Sequence, residues 1–142
     1  MSVFVDTGVF FAHHDEDAER HDEAVAAFDE LLDGAYGQPY TSDYVVDETV
    51  TLTRVRTGSF DAADTVARRI LGEGRFPNVF EVLYVGPDDV RAATETFRRY
   101  DDHGLSFTDA TSLHLCDARG IDAILSFDDD FDGLAERREP SR

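Results

Sequence analysis

The chain has 142 residues, 42% of them hydrophobic, which predicts one globular domain with a single packed core and excludes a wholly disordered chain. Its 31 acidic residues outnumber 13 basic ones, all arginine, so the net charge is −18 and the broad cationic field of many nucleic-acid enzymes is excluded. Because lysine is absent, P-loop nucleotide binding and Schiff-base chemistry are excluded as well.

Short apolar strands alternate with amphipathic helices from the first residues onward. Val3–Val5 is an apolar run that ends at Asp6, and it predicts a buried strand. Apolar residues on one face of the segment 19–32 predict a helix that Gly34 terminates. A short strand is then predicted at Pro39–Thr41.

The segment 42–56 is compatible with a strand or a helix. Its valines and threonines favour a strand, yet its apolar residues also fall on one helical stripe. In either structure Glu48 has apolar neighbours in the sequence, where a bare charge would cost several kcal/mol unless a metal or partner compensates it. The residues alone leave the choice open.

The second half of the chain repeats the alternation. Helical spacing recurs over 61–71, after the capping residue Ser59, and over 88–100. Strands are predicted at Phe80–Val85 and Ala123–Leu125. Strands that alternate with helices of this length predict an α/β fold, with a central, mostly parallel sheet of four to five strands flanked by helices.

One domain accounts for nearly the whole sequence. No linker, repeat or low-complexity stretch interrupts residues 1–134, which we assign to that domain. The polar residues 135–142 are predicted to form a fraying tail. No last strand is apparent after Phe131, so the predicted sheet has an incomplete edge.

Three aspartates occupy positions that surface charge alone does not explain. Asp6 and Asp128 each follow a predicted strand, and sites in parallel sheets form at the carboxyl ends of the strands. Asp109 lies three residues after Ser106 at a predicted helix start. Each position has a structural alternative: Asp6 could cap a helix, Asp109 could form a capping box with Ser106, and the run 128–130 could be a solvated loop.

Four sequence motifs resemble those of PIN-domain nucleases, the fold of VapC-type toxins. They occur in the family's order and span residues 5–131. They are Val5-Asp6-Thr7, Thr41-Ser42-Asp43-Tyr44-Val45-Val46-Asp47-Glu48, Leu105-Ser106-Phe107-Thr108-Asp109-Ala110-Thr111-Ser112 and Ser126-Phe127-Asp128-Asp129-Asp130-Phe131. The resemblance implies a PIN-like fold and places the segment 42–56 on a helix.

The resemblance also implies an acidic catalytic site. Matched residue by residue, that site consists of Asp6, Glu48, Asp109 and Asp128, with Asp6, Asp109 and Asp128 as metal ligands. Polar support is implied for Thr7, Thr108 and Asp130. Hard carboxylates without cysteine or paired histidine favour Mg²⁺ or Mn²⁺, either of which could activate a water molecule against a phosphodiester.

The implied activity is hydrolysis of RNA phosphodiester bonds by a divalent-metal-dependent endoribonuclease. The resemblance further implies the toxin of a type II toxin–antitoxin pair, with a small antitoxin protein as partner and a homodimer as the assembly. Apolar faces that exceed the needs of one small core favour such pairing, and they contain Val66, Ile70, Val90 and Phe97.

Two alternatives keep the fold and change the function. A housekeeping RNA-processing PIN nuclease would have the same site, and a non-catalytic PIN-like interaction module would keep its acids only for solubility. A phosphatase with an aspartyl nucleophile is disfavoured, because that family needs a second aspartate where this chain has Gly8, and it also uses a lysine.

Arginines are the only cations available to bind RNA phosphates. Arg54 and Arg56 follow Glu48 by about two helical turns, and Arg98 and Arg99 precede Asp109. These four arginines are our candidates for RNA binding, and ordinary surface arginine is the alternative for each of them.

The composition also suggests where the protein works. The single cysteine, Cys116, fits a reducing interior, and no apolar run is long enough to span a membrane, so we expect a cytoplasmic protein. An aspartate-rich chain without lysine suggests adaptation to high internal salt, because molar salt screens repulsion between its acids.

Overall fold

A parallel β-sheet forms the centre of the molecule in the computed structural model, which describes residues 1–141. Its strands are β1 (Ser2–Val5), β2 (Gln38–Ser42), β3 (Glu81–Leu83), β4 (Ala123–Leu125) and β5 (Arg137–Arg138). Within the described residues the five strands lie in the order β3-β2-β1-β4-β5, and every neighbouring pair is parallel. The predicted α/β class with a parallel sheet is therefore confirmed.

Helices make the crossovers that a parallel sheet requires. They are α1 (Thr7–His14), α2 (His21–Leu32), α3 (Asp43–Thr57), α4 (Phe60–Leu71), α5 (Pro87–Arg99) and α6 (Phe107–Arg119). One turn of 3-10 helix follows β4 at Asp129–Phe131. Among residues 1–141 we find no helix with the length and apolar character needed to cross a bilayer.

The segment that the residues left ambiguous is the helix α3. It begins after Ser42, whose hydroxyl accepts a hydrogen bond from the Val45 amide at 3.1 Å. The buried hydroxyl of Thr49 donates to the Val45 carbonyl at 2.7 Å, and that of Thr53 donates to the Thr49 carbonyl at 2.8 Å. Because the helix satisfies its own threonines, they can be buried despite their strand propensity.

The core lies on the central strands. Phe4 and Val5 of β1 and Ile124 and Leu125 of β4 have no exposed surface, and the side chain of Phe131 is equally buried. This packing explains why β1 and β4 read as continuous apolar runs, since both faces of a parallel sheet are covered. Because β1 and β4 are buried, the residues that directly follow them are held at the carboxyl edge of the sheet.

Two of the apolar residues taken as evidence for pairing belong to this core. Val66 is 1% exposed and Ile70 is 0% exposed, because α4 packs them against the core cluster. Phe97 on α5 keeps 41% of its surface exposed. The prediction of a surplus apolar face is therefore wrong for Val66 and Ile70, and it applies only to α5.

The residues expected to form a fraying tail contribute β5 instead. Arg137 and Arg138 pair with Ile124 and Leu125, and the Ser126 amide donates to the Arg138 carbonyl at 3.0 Å. A strand at the sheet edge is held by backbone bonds and is commonly charged, so it carries no apolar pattern for the sequence to reveal. The last tail residue, Arg142, lies outside the described residues.

Candidate active site

Asp6 is held at the carboxyl end of β1, beside the end of β4. Val5 pairs with Leu125, and the Asp6 amide donates to the Leu125 carbonyl at 3.1 Å. Asp6 stands at the N-cap position of α1, yet its side chain makes no capping hydrogen bond. The carboxylate, 6% exposed, accepts a hydrogen bond from the Ser126 hydroxyl at 2.7 Å. Capping therefore does not account for this aspartate.

Asp109 combines a capping role with burial. The Ser106 amide donates to Asp109 Oδ2 at 2.9 Å, and the Asp109 amide donates to Ser106 Oγ at 3.0 Å. These two bonds form the capping box that the sequence predicted at the start of α6. Capping residues are usually solvated, whereas Asp109 is only 7% exposed.

Asp128 is tied to Asp6 through a residue that the sequence analysis did not single out. The hydroxyl of Ser126, fully buried, donates to Asp6 and accepts a hydrogen bond from the Asp128 amide at 3.0 Å. Asp128 Oδ1 in turn accepts from the Asp130 amide at 2.9 Å. Ser126 directly follows β4, as Asp6 directly follows β1, and this parallel placement was the signal available in the sequence.

One cavity of about 470 Å³ brings the four predicted acids together. Glu48 reaches it from α3, where its side chain is half-buried. Thr7 also lines it, and the buried Thr7 hydroxyl has no hydrogen-bond partner among the described residues. The full lining is Asp6, Thr7, Gly8, Glu48, Gly104, Ser106, Asp109, Ser126, Phe127 and Asp128.

Burial and crowding raise the pKa of the two most enclosed acids. Burial, aided by the nearby charges of Asp109 and Glu48, raises the pKa of Asp6 to about 7, against the opposing effect of the Ser126 hydrogen bond. Burial likewise raises the pKa of Asp109 to about 6, and the charges of Asp128 and Glu48 add to the rise. The cavity therefore disfavours negative charge unless a cation enters it.

The remaining support residues lie around this cavity and do not line it. The Thr108 carbonyl accepts hydrogen bonds from the hydroxyls of Thr111 and Ser112 within α6. Asp130 lies against Gly104, and the negative charge of Asp128 raises the pKa of Asp130. The structure thus brings Thr7 to the cavity and leaves Thr108 and Asp130 beside it.

None of the four arginine candidates lines the acidic cavity. Arg54 lies over the ring of Phe60 at 5.9 Å, and Arg56 lies over the ring of Phe11 at 5.2 Å. Arg98 lines a separate cavity on α5, and Arg99 lies 5.9 Å from the ring of Tyr100. The cavity lining contains no cationic side chain at all.

This set of donors fits a hard divalent cation. Carboxylate and hydroxyl oxygens are the ligands that Mg²⁺ and Mn²⁺ prefer, and the unpartnered Thr7 hydroxyl is a buried oxygen in need of a partner. The run Asp128, Asp129 and Asp130 also places three carboxylate oxygens within 4.8 Å of one another. Asp129 is exposed, whereas Asp128 and Asp130 are partly buried, so the solvated loop considered from the sequence accounts only for Asp129.

Several known proteins are similar to this chain in both sequence and fold. A VapC ribonuclease of Archaeoglobus fulgidus is 26% identical over 132 residues, which cover 92% of this chain and 80% of that protein. The 23S rRNA-specific endonuclease VapC20 of Mycobacterium tuberculosis is 32% identical over 131 residues, 91% of each protein. Its crystal structure, described as that of a sarcin-ricin loop cleaving toxin, gives a TM-score of 0.76 and covers 91% of this chain and 92% of that chain.

More distant proteins preserve the architecture alone. VapBC2 of Rickettsia felis, bound to a DNA fragment from its promoter, gives a TM-score of 0.72 at 10% identity, over 99% of this chain and 100% of that chain. The family model of the PIN domain matches residues 3–137, from the second residue of β1 to the first residue of β5, and the match includes all four cavity acids. The resemblance seen in the four motifs is therefore confirmed, and the chain belongs to the PIN-domain family.

Proposed function

We propose that this protein is a cytoplasmic endoribonuclease that hydrolyses RNA phosphodiester bonds with the help of Mg²⁺ or Mn²⁺. The observation that carries the proposal is the convergence of Asp6, Glu48, Asp109 and Asp128 on one cavity with no cationic side chain in its lining. Buried carboxylates without a cationic partner are costly, and they persist where a metal ion compensates them. Membership of the PIN-domain family supports the same activity.

The side chains divide the work according to their surroundings. Asp6, Asp109 and Asp128 would hold the cation, with the Thr7 hydroxyl beside them. The cation, when bound, polarises the phosphodiester and lowers the pKa of the attacking water. Ser126 holds Asp6 and the Asp128 backbone in fixed positions through its two hydrogen bonds.

Glu48 differs from the three aspartates in its position. It reaches the cavity from α3, it is not part of the Ser126 hydrogen-bond network, and it is only half-buried. A carboxylate of this kind can orient the attacking water and accept its proton. We assign Glu48 that role in the displacement at phosphorus.

The relatives suggest the biological setting. VapC20 of Mycobacterium tuberculosis is a 23S rRNA-specific endonuclease, and it resembles this chain over nearly its whole length. We extend RNA cleavage to this protein on that basis, and we infer that it is the toxin of a toxin–antitoxin pair. A small antitoxin protein would be its partner, and a homodimer its assembly.

Cleavage of a mixed RNA pool in molar KCl with Mn²⁺ tests the proposed activity. We expect the wild type to cut, and we expect Asp6→Asn and Asp109→Asn to lower the rate by about 100-fold or more, because each removes a metal ligand. Asp132→Asn is the matched control, since Asp132 is an exposed aspartate paired with Arg137. A folded wild type that binds Mn²⁺ but leaves all RNA intact would contradict the proposal, as would full activity in both cavity variants.

A further inference from the structure

RNA binding at this site poses an electrostatic problem. The lining of the catalytic cavity holds four carboxylates and no arginine or histidine, and the whole chain carries a net charge of −18. Most proteins that bind nucleic acid obtain affinity by neutralising phosphates with cations. Apart from the cation proposed for it, the cavity offers no positive charge to a phosphate, so contacts that do not depend on phosphate charge would add to the affinity.

A second cavity adjoins the catalytic one. It has a volume of about 370 Å³, within the range of small-ligand sites, and it shares Gly104 with the catalytic cavity. Its walls are Phe97, Arg98, Tyr100, Asp101, Gly104 and Leu105, from the end of α5 and the loop that leads to α6. We call it the α5 cavity. A strand of RNA that places a phosphate among the acids would have its neighbouring nucleotide within reach of this cavity.

Two aromatic rings link the α5 cavity to the start of helix α6, which carries Asp109. Phe97 is 41% exposed, and its ring meets that of Phe107 edge-on at a centroid distance of 5.8 Å. Phe107 begins α6 directly after Ser106, which lines the catalytic cavity. The Phe97 ring is therefore held at a fixed angle beside the site while part of its surface stays open to solvent.

The polar groups of the α5 cavity suit an uncharged ring better than a phosphate. The Arg98 guanidinium forms no ion pair within residues 1–141, so it is available to stack on a base or to donate to its acceptors. Asp101 lines the same cavity and would repel a phosphate, while its carboxylate can accept from a base amino group.

From this arrangement we propose that the α5 cavity is a nucleobase subsite, in which an unpaired base of the RNA substrate stacks on Phe97 and Tyr100 beside Arg98. The inference rests on the proposed ribonuclease function and names the residues that give it substrate affinity. Stacking on aromatic rings tolerates high salt better than ion pairing does, so the subsite fits a chain whose composition suggests a salty environment.

A single-stranded RNA oligomer that carries 2-aminopurine beside the cleavable bond tests the subsite. The fluorescence of this base falls when it stacks, so we expect quenching with wild-type protein in molar KCl and loss of the quenching with Phe97→Leu. Leucine keeps apolar packing against Phe107 but offers no ring to stack on. Steady-state kinetics should show KM raised about 5- to 150-fold with kcat little changed, and Phe97→Tyr should restore KM.

Phe76→Ala is the matched control for loss of a ring beside an arginine. Phe76 lies near Arg69 and Arg75 and lines a different cavity that shares no residue with the catalytic one. We expect it to leave the quenching and KM unchanged. A wild type that neither binds nor cuts RNA would defeat the proposed function itself, which separates that failure from failure of the subsite.

Three results would overturn the subsite proposal while RNA cleavage remains intact. The first is unchanged quenching and KM in Phe97→Leu. The second is equal loss in Phe97→Leu and Phe76→Ala, which would indicate a general effect on stability. The third is a change from dimer to monomer in Phe97→Leu on size-exclusion chromatography with light scattering, which would make Phe97 a subunit contact.

Discussion

Carboxylates in this molecule occupy two opposite electrostatic environments. Asp6 and Asp109 lie in the acidic cavity, where burial raises the pKa of Asp6 to about 7 and that of Asp109 to about 6. Asp132 lies on the surface, where hydrogen bonds from Arg137 lower its pKa. In a chain with 31 acidic residues, burial and the lack of a cationic partner distinguish the candidate catalytic acids, because residue type alone cannot separate them.

The two environments make opposite contributions to stability. A surface aspartate paired with arginine favours the folded state slightly, since its charge is better stabilised there than in the unfolded chain. A buried aspartate whose pKa is raised favours the unfolded state once it ionises. The acidic cavity is therefore a destabilising element that a bound cation would offset, as expected for a site that concentrates charge.

The largest expected effect is on the pH dependence of the free energy of unfolding of the metal-free protein. The pKa of Asp6 rises from 3.8 to about 7 on folding, so the stability it contributes is complete below about pH 4 and is lost as pH rises through about 7. We expect the free energy of unfolding of Asp6→Asn to exceed that of the wild type by on the order of 4 kcal/mol at pH 8, and to match it near pH 4. Urea unfolding with a chelator at fixed molar KCl measures this difference.

That comparison uses the difference between the two proteins because they share the other 30 acidic residues, whose effects on stability cancel in the difference. Asp6→Asn preserves an oxygen that can accept from the Ser126 hydroxyl, so the hydrogen bond is kept while the charge is removed. Parallel pH profiles of the free energy of unfolding for wild type and Asp6→Asn would mean that ionisation of the buried Asp6 does not destabilise the folded state.

Mn²⁺ should offset the destabilisation caused by the ionised cavity acids, and it should have no such effect at the surface aspartates. At a metal concentration of 100 times Kd, we expect stabilisation of the wild type by about 2.7 kcal/mol. The affinity should rise between pH 5 and 8, because the cation must displace the protons held by Asp6 and Asp109. Thermal unfolding with and without Mn²⁺ measures both effects.

The variants identify which carboxylates respond to the metal. Asp6→Asn should lose most of the stabilisation, and Asp132→Asn should keep it. Equal stabilisation of all three proteins would show that Asp6 does not bind the cation. The first location to examine is then the run Asp128, Asp129 and Asp130, whose carboxylate oxygens lie within 4.8 Å of one another. That outcome would leave Asp6 without the role proposed for it.

The sequence predicted the parallel sheet and the meeting of the acids for the same physical reason. Buried parallel strands leave continuous apolar runs, and the residue after each run lies at the carboxyl edge of the sheet. Asp6 and Asp128 could therefore be assigned to one edge without coordinates. Asp109 needed the family motif, because a capping box accounts for its position equally well.

The parts that sequence could not supply depend on contacts between distant residues. Ser126 donates to Asp6, which lies 120 positions away in the sequence, and it accepts from the Asp128 amide. Its place directly after β4 puts it at the same sheet edge as Asp6, but only the folded structure shows which groups its hydroxyl binds. The edge strand at Arg137–Arg138 is held by backbone pairing and shows no apolar alternation. For the α3 segment, propensity and periodicity disagree, so the residues alone leave the choice open. The family resemblance predicts a helix there, and the structure confirms it.

The smallest expected effect comes from the surface pair, and it has the opposite sign. Asp132 accepts two hydrogen bonds from the Arg137 guanidinium, at 2.7 and 3.1 Å, and remains 58% exposed. Because its pKa is lowered in the folded state, its stabilisation is present at neutral pH and is lost as pH falls through the lowered value.

Asp132→Asn should therefore lower the melting temperature slightly at pH 7 and leave it unchanged well below pH 3.8, where wild type and variant carry the same charge. Molar KCl should shrink this loss, since salt screens exposed pairs strongly and buried charges weakly. A gain in stability at pH 7, like that expected for Asp6→Asn, would show that surface repulsion outweighs the pair and would remove the contrast between the two environments.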